Sequence, residues 1–163
     1  MLGRKISRGP VPVITALVLA LALGGCAPSI YTGGGANQGG LETQSSHPND
    51  DQAQLKALDN YVAAAQHQIP ALVAGYNGMY SDAAINAIHP GTVEYSYRFA
   101  KQADPVAAKS FFDSMVPKFQ TACDTQLFPD MKRAGITTSQ SVKYTYLNAD
   151  GSEIWSHTFT PSG

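Results

Sequence analysis

Apolar residues recur along this chain in three rhythms, and each predicts a different kind of element. From Asp51 onward, Leu55, Leu58, Val62, Ala65, Ile69 and Leu72 follow at three- and four-residue steps, which places them on one helix face. Pro70 is expected to kink or end the regular part, and Gly75 supplies a natural stop. The period then falls to two. Val93, Tyr95, Tyr97 and Phe99 share one face of a strand, with Glu94, Ser96 and Arg98 on the other. Residues 83–88 form its expected partner through Pro90-Gly91. That register stays open, because a Pro-Gly type II turn suits a two-residue hairpin poorly.

A second helix is expected after Asp104-Pro105, an acid at the N-cap followed by proline in the first helical position. Its stripe reads Val106, Phe111, Met115, Phe119, Cys123, Leu127 and Met131, and it runs on to Gly135. Lys132 and Arg133 fall in the last turn, where cations suit the helix dipole. Pro117 and Pro129 lie inside this stretch, and a proline in a helix interior costs about 3 kcal/mol. A bend or break near Pro117 is therefore expected.

Asp150-Gly151 is a strong two-residue turn signal between two alternating segments. A turn there pairs Tyr146 with Trp155, Tyr144 with His157 and Val142 with Phe159 on one face. Leu147 then meets Ile154 on the other face, beside Thr145 with Ser156 and Lys143 with Thr158. A one-residue slip would scatter both stripes. The expected fold class is α+β in the order α-β-β-α-β-β: a four-stranded antiparallel sheet with two helices packed on its aromatic face. The other face, rich in Ser, Thr, Glu, Lys and Arg, is expected to meet water.

The third rhythm is an unbroken apolar run over residues 13–23, preceded by Arg4, Lys5 and Arg8. Eleven residues are too few to span a bilayer core, which takes about 20. They fit the apolar region of a secretory signal peptide. Leu23-Gly24-Gly25-Cys26 follows at once, and it resembles the lipobox of bacterial lipoproteins. The resemblance implies cleavage before Cys26, with diacylglycerol on its thiol and palmitate or a similar acyl chain on the new amino terminus. Two or three acyl chains hold a protein on a membrane firmly, whereas one does so only marginally. The plainer alternative is an ordinary signal peptide with Cys26 a bystander.

Residues 27–50 contain five glycines and no apolar period, and they read as a flexible tether. No Lys-Ser/Thr follows Gly33-Gly34-Gly35, so a phosphate-binding loop is not indicated. The expected organisation is a signal peptide over 1–25, the lipidated cysteine and tether over 26–50, and one α+β domain over 51–163. After Cys26 there are eight Lys or Arg against twelve Asp or Glu, a net charge of −4. An acidic body without a basic cluster argues against nucleic acid as a partner.

Candidate chemistry is sparse. His47, His67, His89 and His157 fall in no metal-ligand spacing, and neither a metal nor a cofactor is expected. The acids are scattered singly, and no serine has the setting of a nucleophile elbow. With Cys26 lipidated, Cys123 is a lone thiol in an apolar stripe, expected to pack as a small hydrophobe. No catalytic residue is assigned, and an enzyme is not expected. The one candidate binding surface is the aromatic stripe of Tyr95, Tyr97, Tyr144, Tyr146 and Trp155, which is either an exposed platform or the core beneath the helices. The core reading is preferred, because two amphipathic helices need an apolar sheet face to cover.

Ala134-Gly135-Ile136, the stretch from Val142 to Trp155 with its Tyr146-Leu147-Asn148-Ala149-Asp150-Gly151 core, and the strand from Val93 to Phe99 resemble an uncharacterised lipoprotein domain family common in Gram-positive bacteria. The resemblance covers roughly residues 51–159, and Pro117 and Pro129 depart from the smoother helix of that family. It implies exposure at the cell envelope and the same element order, and it supplies no catalytic residues. Together these readings predict a lipoprotein held on the cell membrane through Cys26 and facing outside the cytoplasm. Its domain would be a non-catalytic binding or interaction module, with an envelope protein or wall polymer as partner. A small envelope-acting enzyme and a purely structural lipoprotein are the alternatives.

Overall fold

The computed structural model describes residues 48–163. Cys26, the expected signal peptide and nearly all of the expected tether lie outside them. The first helix, α1, spans Pro48–Gln66, and a second short helix, α2, spans Ile69–Gly75. Pro70 sits in the first turn of α2, where its missing N–H goes unused, so the chain breaks just before it.

Strands β1 (Tyr80–Ile88) and β2 (Thr92–Phe99) pair antiparallel, with Tyr95 opposite Ile85 and Tyr97 opposite Ala83. Their turn contains a cis His89–Pro90 bond, and Gly91 then lies hard against the loop that precedes the third strand. Helix α3 (Pro105–Ala122) opens as its sequence implies: the Asp104 carboxylate accepts from the N–H groups of Val106 and Ala107.

Its buried face differs from the expected stripe. Val106 is 77% exposed, and Ala108 and Phe112 take the places expected of Val106 and Phe111, while Met115, Phe119, Cys123, Leu127 and Met131 are buried as expected. The five-residue step from Val106 to Phe111 turns about 140° around a helix, too far for one narrow stripe. The observed steps of four and three keep to one side.

The expected break at Pro117 is also corrected. Helix α3 runs through Pro117, and the irregularity comes later, as a π-helical turn over Cys123–Leu127. There the Phe128 N–H donates to the Cys123 carbonyl five residues back. Pro129 has no N–H and its ring crowds the carbonyl four residues before it, so a widened turn ahead of it relieves the ladder. The helix resumes as α4 (Phe128–Arg133) with Pro129 in its first turn.

Strands β3 (Ser141–Leu147) and β4 (Glu153–Phe159) complete a four-stranded sheet in the order β1-β2-β3-β4. The class is α+β, but the sheet is mixed: β2 and β3 run parallel, with Tyr95 beside Tyr144 and Tyr97 beside Tyr146. Local turn chemistry makes each hairpin antiparallel. The long helical crossover between the hairpins returns the chain to the end where β2 began, and that makes the middle pair parallel. The helical layer also departs from the expected pair on one face. Rings of α3 lie on β3 and β4, whereas α1 and α2 pack chiefly along β1 at the other end of the sheet.

The last hairpin keeps its expected register at Val142–Phe159, Lys143–Thr158, Tyr144–His157, Thr145–Ser156 and Tyr146–Trp155. Only the tip changes. Leu147 meets Glu153 in place of Ile154, after a bulge. The turn is wider than two residues, closed by bonds from Asn148 N to Ser152 O and from Gly151 N to Asn148 O. Gly151 has φ 87°, a conformation that glycine reaches without a Cβ clash.

Candidate functional site

The aromatic stripe is interior. Tyr95, Tyr97, Tyr144, Tyr146 and Trp155 are 7, 7, 3, 4 and 4% exposed. Across the parallel pair the rings stack at 5.3 Å (Tyr95–Tyr144) and 5.2 Å (Tyr97–Tyr146). Phe112 covers Tyr146 at 4.0 Å and Trp155 at 5.3 Å, while Phe119 covers Tyr144 and Phe159. These rings meet one another and α3, and they offer no free platform to a ligand. Burial pushes the hydroxyls of Tyr80, Tyr95, Tyr97, Tyr144 and Tyr146 above the ordinary tyrosine range.

Trp155 joins this core to the surface. Its indole N–H donates to Asp113 Oδ1 at 2.9 Å, and Lys109 Nζ meets the other carboxylate oxygen at 2.6 Å. The Lys109 bond first, then the Trp155 bond, hold the Asp113 carboxyl below its usual range. Hydrogen bonds from Ser162 and Gln120 do the same for Asp124, and those from Ser152 do so for Asp150. A carboxyl depressed in the folded state stabilises above its unfolded pKa, near 3.8, and that stability is lost as the pH falls through the lower folded value. The contribution of these carboxylates is therefore expected to be lost only below about pH 4. Trp155 is the single tryptophan, so its emission reports the event directly. Asp113→Asn should keep the indole acceptor and lose the Lys109 pair, whereas Asp113→Ala should also shift the emission. Equal emission and equal melting temperature for Asp113→Ala and the wild type would refute this coupling.

On the opposite sheet face, Glu94 accepts from Lys143 Nζ and Thr145 Oγ1, both at 3.0 Å, and from Asn86 Nδ2 at 3.3 Å. Burial alone would raise the Glu94 carboxyl, but these bonds, that from Lys143 first, outweigh it and hold it low. Thr145 is only 6% exposed. This face is polar, yet its own side chains shield its centre.

The remaining candidates are dispersed. His89 pairs with Asp59 at 2.9 Å on the outside of α1, and His67 is exposed. His157 lies exposed on β4, with its ring stacked on Trp155 at 5.6 Å and beside Phe159 at 4.5 Å. His47 lies outside the described residues. Among the described residues no group of three or more His, Cys, Asp or Glu side chains converges on a point. Cys123 is fully buried, and burial, then Asp124, pushes its thiol up to about 12. It is a neutral thiol at physiological pH. An open depression of about 420 Å³ lies where the carboxy-terminal residues Pro161–Gly163 cross Phe128, Pro129 and Lys132.

Two buried amides have no counterpart in the sequence reading. Gln54 of α1 is 7% exposed. Its Oε1 accepts from Thr137 N, Thr138 N and Thr138 Oγ1, and its Nε2 donates to Thr138 O and Pro90 O. At the other end of the sheet, Asn148 is 1% exposed; its Oδ1 accepts from Ala103 N and its Nδ2 donates to Ala103 O. Nothing in the pattern marks Gln54. Asn148 reads only as part of a turn, because its second partner lies forty-five residues away.

Helices flank both edges of the sheet, with α1 and α2 along β1 and α3 along β4. Along β1, α1 and α2 pack closely, Gln66 Nε2 caps the Ile85 carbonyl at 2.8 Å, and a bulge falls between Tyr80 and Asp82. Strand β4 ends the sheet with β3 as its one strand neighbour. Among the described residues, no helix is long and apolar enough to cross a membrane.

No family model matches the chain, and no curated protein matches it. The resemblance to the Gram-positive lipoprotein domain thus rests on the residues quoted for it alone. One similar solved structure is the pilotin from the Vibrio vulnificus type 2 secretion system, EpsS. It is 15% identical with a TM-score of 0.35, over 64% of this chain and 92% of that one. At that level the likeness carries no argument about this chain.

Proposed function

We propose that this chain is a lipid-anchored extracytoplasmic protein whose folded domain works by binding a partner and not by catalysis. The observation that carries the anchor is Leu23-Gly24-Gly25-Cys26 placed directly after an eleven-residue apolar run with a basic lead. Lipid on Cys26 would confine the domain to the membrane surface, and the glycine-rich sequence before α1 fits a spacer between the two. The partner is therefore another component of the envelope, either a protein or a wall polymer.

Surface carboxylates and one buried thiol support the non-catalytic half of the reading. Glu94, Asp113, Asp124 and Asp150 each hold neighbouring side chains in place, and all are held low, as charged structural groups are. None is raised toward neutrality as a general acid would need. Cys123 is a buried thiol, and burial, then Asp124, keeps it protonated.

The test is Cys26→Ser in cells fed a labelled fatty acid. Loss of the acyl label and of partitioning into the detergent phase, with precursor accumulating, is the expected result. A variant that still labels and still partitions like the wild type would end the proposal.

A further inference from the structure

Residues 60–81 contain no Asp, Glu, Lys or Arg, and near their end stands the one Asn-Gly pair of the chain, Asn77-Gly78. It forms the turn between α2 and β1, where both residues are exposed and take positive φ, 50° and 76°. Asn and Gly are the residue types that tolerate this conformation. Bonds from Asn77 N to Ala74 O and from Met79 N to Tyr76 O close the chain around the pair. Among the described residues, the Gly78 N–H and the Asn77 carboxamide make no hydrogen bond, whereas the carboxamides of Asn86 and Asn148 both do. The space around Gly78 is open, with nothing beyond its chain neighbours within 4 Å of where a Cβ would stand.

We infer that Asn77 is a site of spontaneous modification, which converts through a cyclic imide to aspartate and isoaspartate with water as the co-reactant. The Gly78 nitrogen attacks Asn77 Cγ, and the new C–N bond closes the ring. The side-chain nitrogen leaves as ammonia, taking up the proton that Gly78 N loses. One water then opens the ring. Opening at Cγ gives aspartate in the ordinary chain, and opening at the main-chain carbonyl gives isoaspartate, linked onward through Cγ. No electron is gained or lost. Gly78 has no Cβ to obstruct the approach, and its N–H breaks no bond in order to react.

Asp150-Gly151 can form the same ring, and the fold guards it. Gly151 N donates to Asn148 O at 2.9 Å, while Asp150 accepts from Ser152 N, Ser152 Oγ and Gln102 Nε2. These bonds, those from Ser152 first, hold Asp150 as a carboxylate, whose charge resists attack by nitrogen. At Asn77 the product changes the surface and the turn. It places a negative charge in a stretch that had none, beside the uncharged helix α2. Isoaspartate also adds one atom to the main chain between Tyr76 O and Met79 N, so the bond that closes the turn should open. The edge-on contact of Tyr76 with Tyr80, at 5.1 Å across this same turn, should loosen with it.

The reaction needs neither lipid nor a partner and stands apart from the anchoring proposal. Purified full chain, aged in detergent in warm, mildly alkaline buffer, should accumulate a more acidic form on isoelectric focusing. Peptide mass mapping should place the change at Asn77, and enzymatic carboxyl methylation should detect isoaspartate there. Asn77→Gly suits the positive φ and lacks the carboxamide, so it should fold and yield no acidic form on ageing. The aged wild type should melt at a lower temperature than the fresh chain, and aged Asn77→Gly should not. Unfolding in urea should speed isoaspartate formation at Asp150 by a larger factor than at Asn77, because the fold guards only Asp150. An Asn77 amide still intact in the aged chain, an equal acidic form from Asn77→Gly, equal melting before and after ageing, or a larger gain on unfolding at Asn77 than at Asp150 would overturn the inference.

Discussion

Raising the pH above 10 is expected to unfold this domain in one cooperative step, with the tyrosines ionising together as it opens. In the unfolded chain a tyrosine hydroxyl ionises near 10. In the folded chain Tyr61, Tyr76, Tyr80, Tyr95, Tyr97, Tyr144 and Tyr146 are all held above that value, with burial the first cause in each case. A group raised in the folded state contributes stability that is complete below its unfolded pKa and lost as the pH rises toward the folded one.

Each fully buried hydroxyl therefore removes about 1.4 kcal/mol by about pH 11. The five most buried, Tyr80, Tyr95, Tyr97, Tyr144 and Tyr146, together remove about 7 kcal/mol, which rivals the 5–15 kcal/mol that holds a typical domain. Tyr61 and Tyr76 are half-exposed and add less. The hydroxyl of Tyr144 has no hydrogen-bond partner among the described residues, and burial comes first in raising it. Tyrosinate absorbance and far-ultraviolet circular dichroism, followed through one titration, should move at the same pH. Smooth ionisation centred on pH 10 with the dichroism intact would show that the rings are wet and the core assignment wrong.

The second large effect is expected at the clasp around Gln54. One amide ties α1 to the loop before β3 and to the β1–β2 turn, contacts that are remote in sequence and adjacent only in the fold. Gln54→Ala strands the N–H groups of Thr137 and Thr138 and opens a space that their loop must close. A buried donor left unpaired costs about 1–3 kcal/mol, so a loss of about 2–4 kcal/mol is expected. Gln54→Glu keeps the acceptor and loses the donor, and should fall between.

Gly91 tests the same clasp by steric means. A Cβ there would stand 2.6 Å from Ser139 O and 2.7 Å from Thr138 O, both backbone atoms with little room to yield. Gly91→Ala should thus cost about as much as Gln54→Ala, in the range of about 1–3 kcal/mol typical of overpacking or somewhat above. Because both variants loosen the same loop, the double variant should cost less than the two losses added. Urea midpoints that shift at constant slope would measure all three. Additive losses, or a Gln54→Ala variant within about 0.5 kcal/mol of the wild type, would show that the clasp is only a surface contact.

Legibility from sequence followed the range of each interaction. The helix start at Asp104-Pro105, the break before Pro70 and five of the six expected pairs in the last hairpin rest on residues close in the chain, and the structure has them. The sixth pair failed because Asn148 and Ser152 close a wider turn than Asp150-Gly151 alone would make. The stripe of α3 was misphased at Val106, an apolar residue that the helix geometry turns outward. Pro117 stays within α3 because Phe112, Met115 and Phe119 are buried on either side of it, a packing that no local signal shows. The candidate surface of Tyr95, Tyr97, Tyr144, Tyr146 and Trp155 was legible as one stripe, but alternation cannot say what covers a face.

By itself, then, the amino-acid sequence determined the four strands, the two hairpins and the α+β class, because turn chemistry and periodicity act over a few residues. Tertiary structure alone decided that β2 and β3 run parallel, that Gln54 and Asn148 clamp distant loops, and that Trp155 leans on Asp113. Each of these depends on where a long crossover brings the chain back, and that is set by the total burial of the aromatic face and not by any local signal.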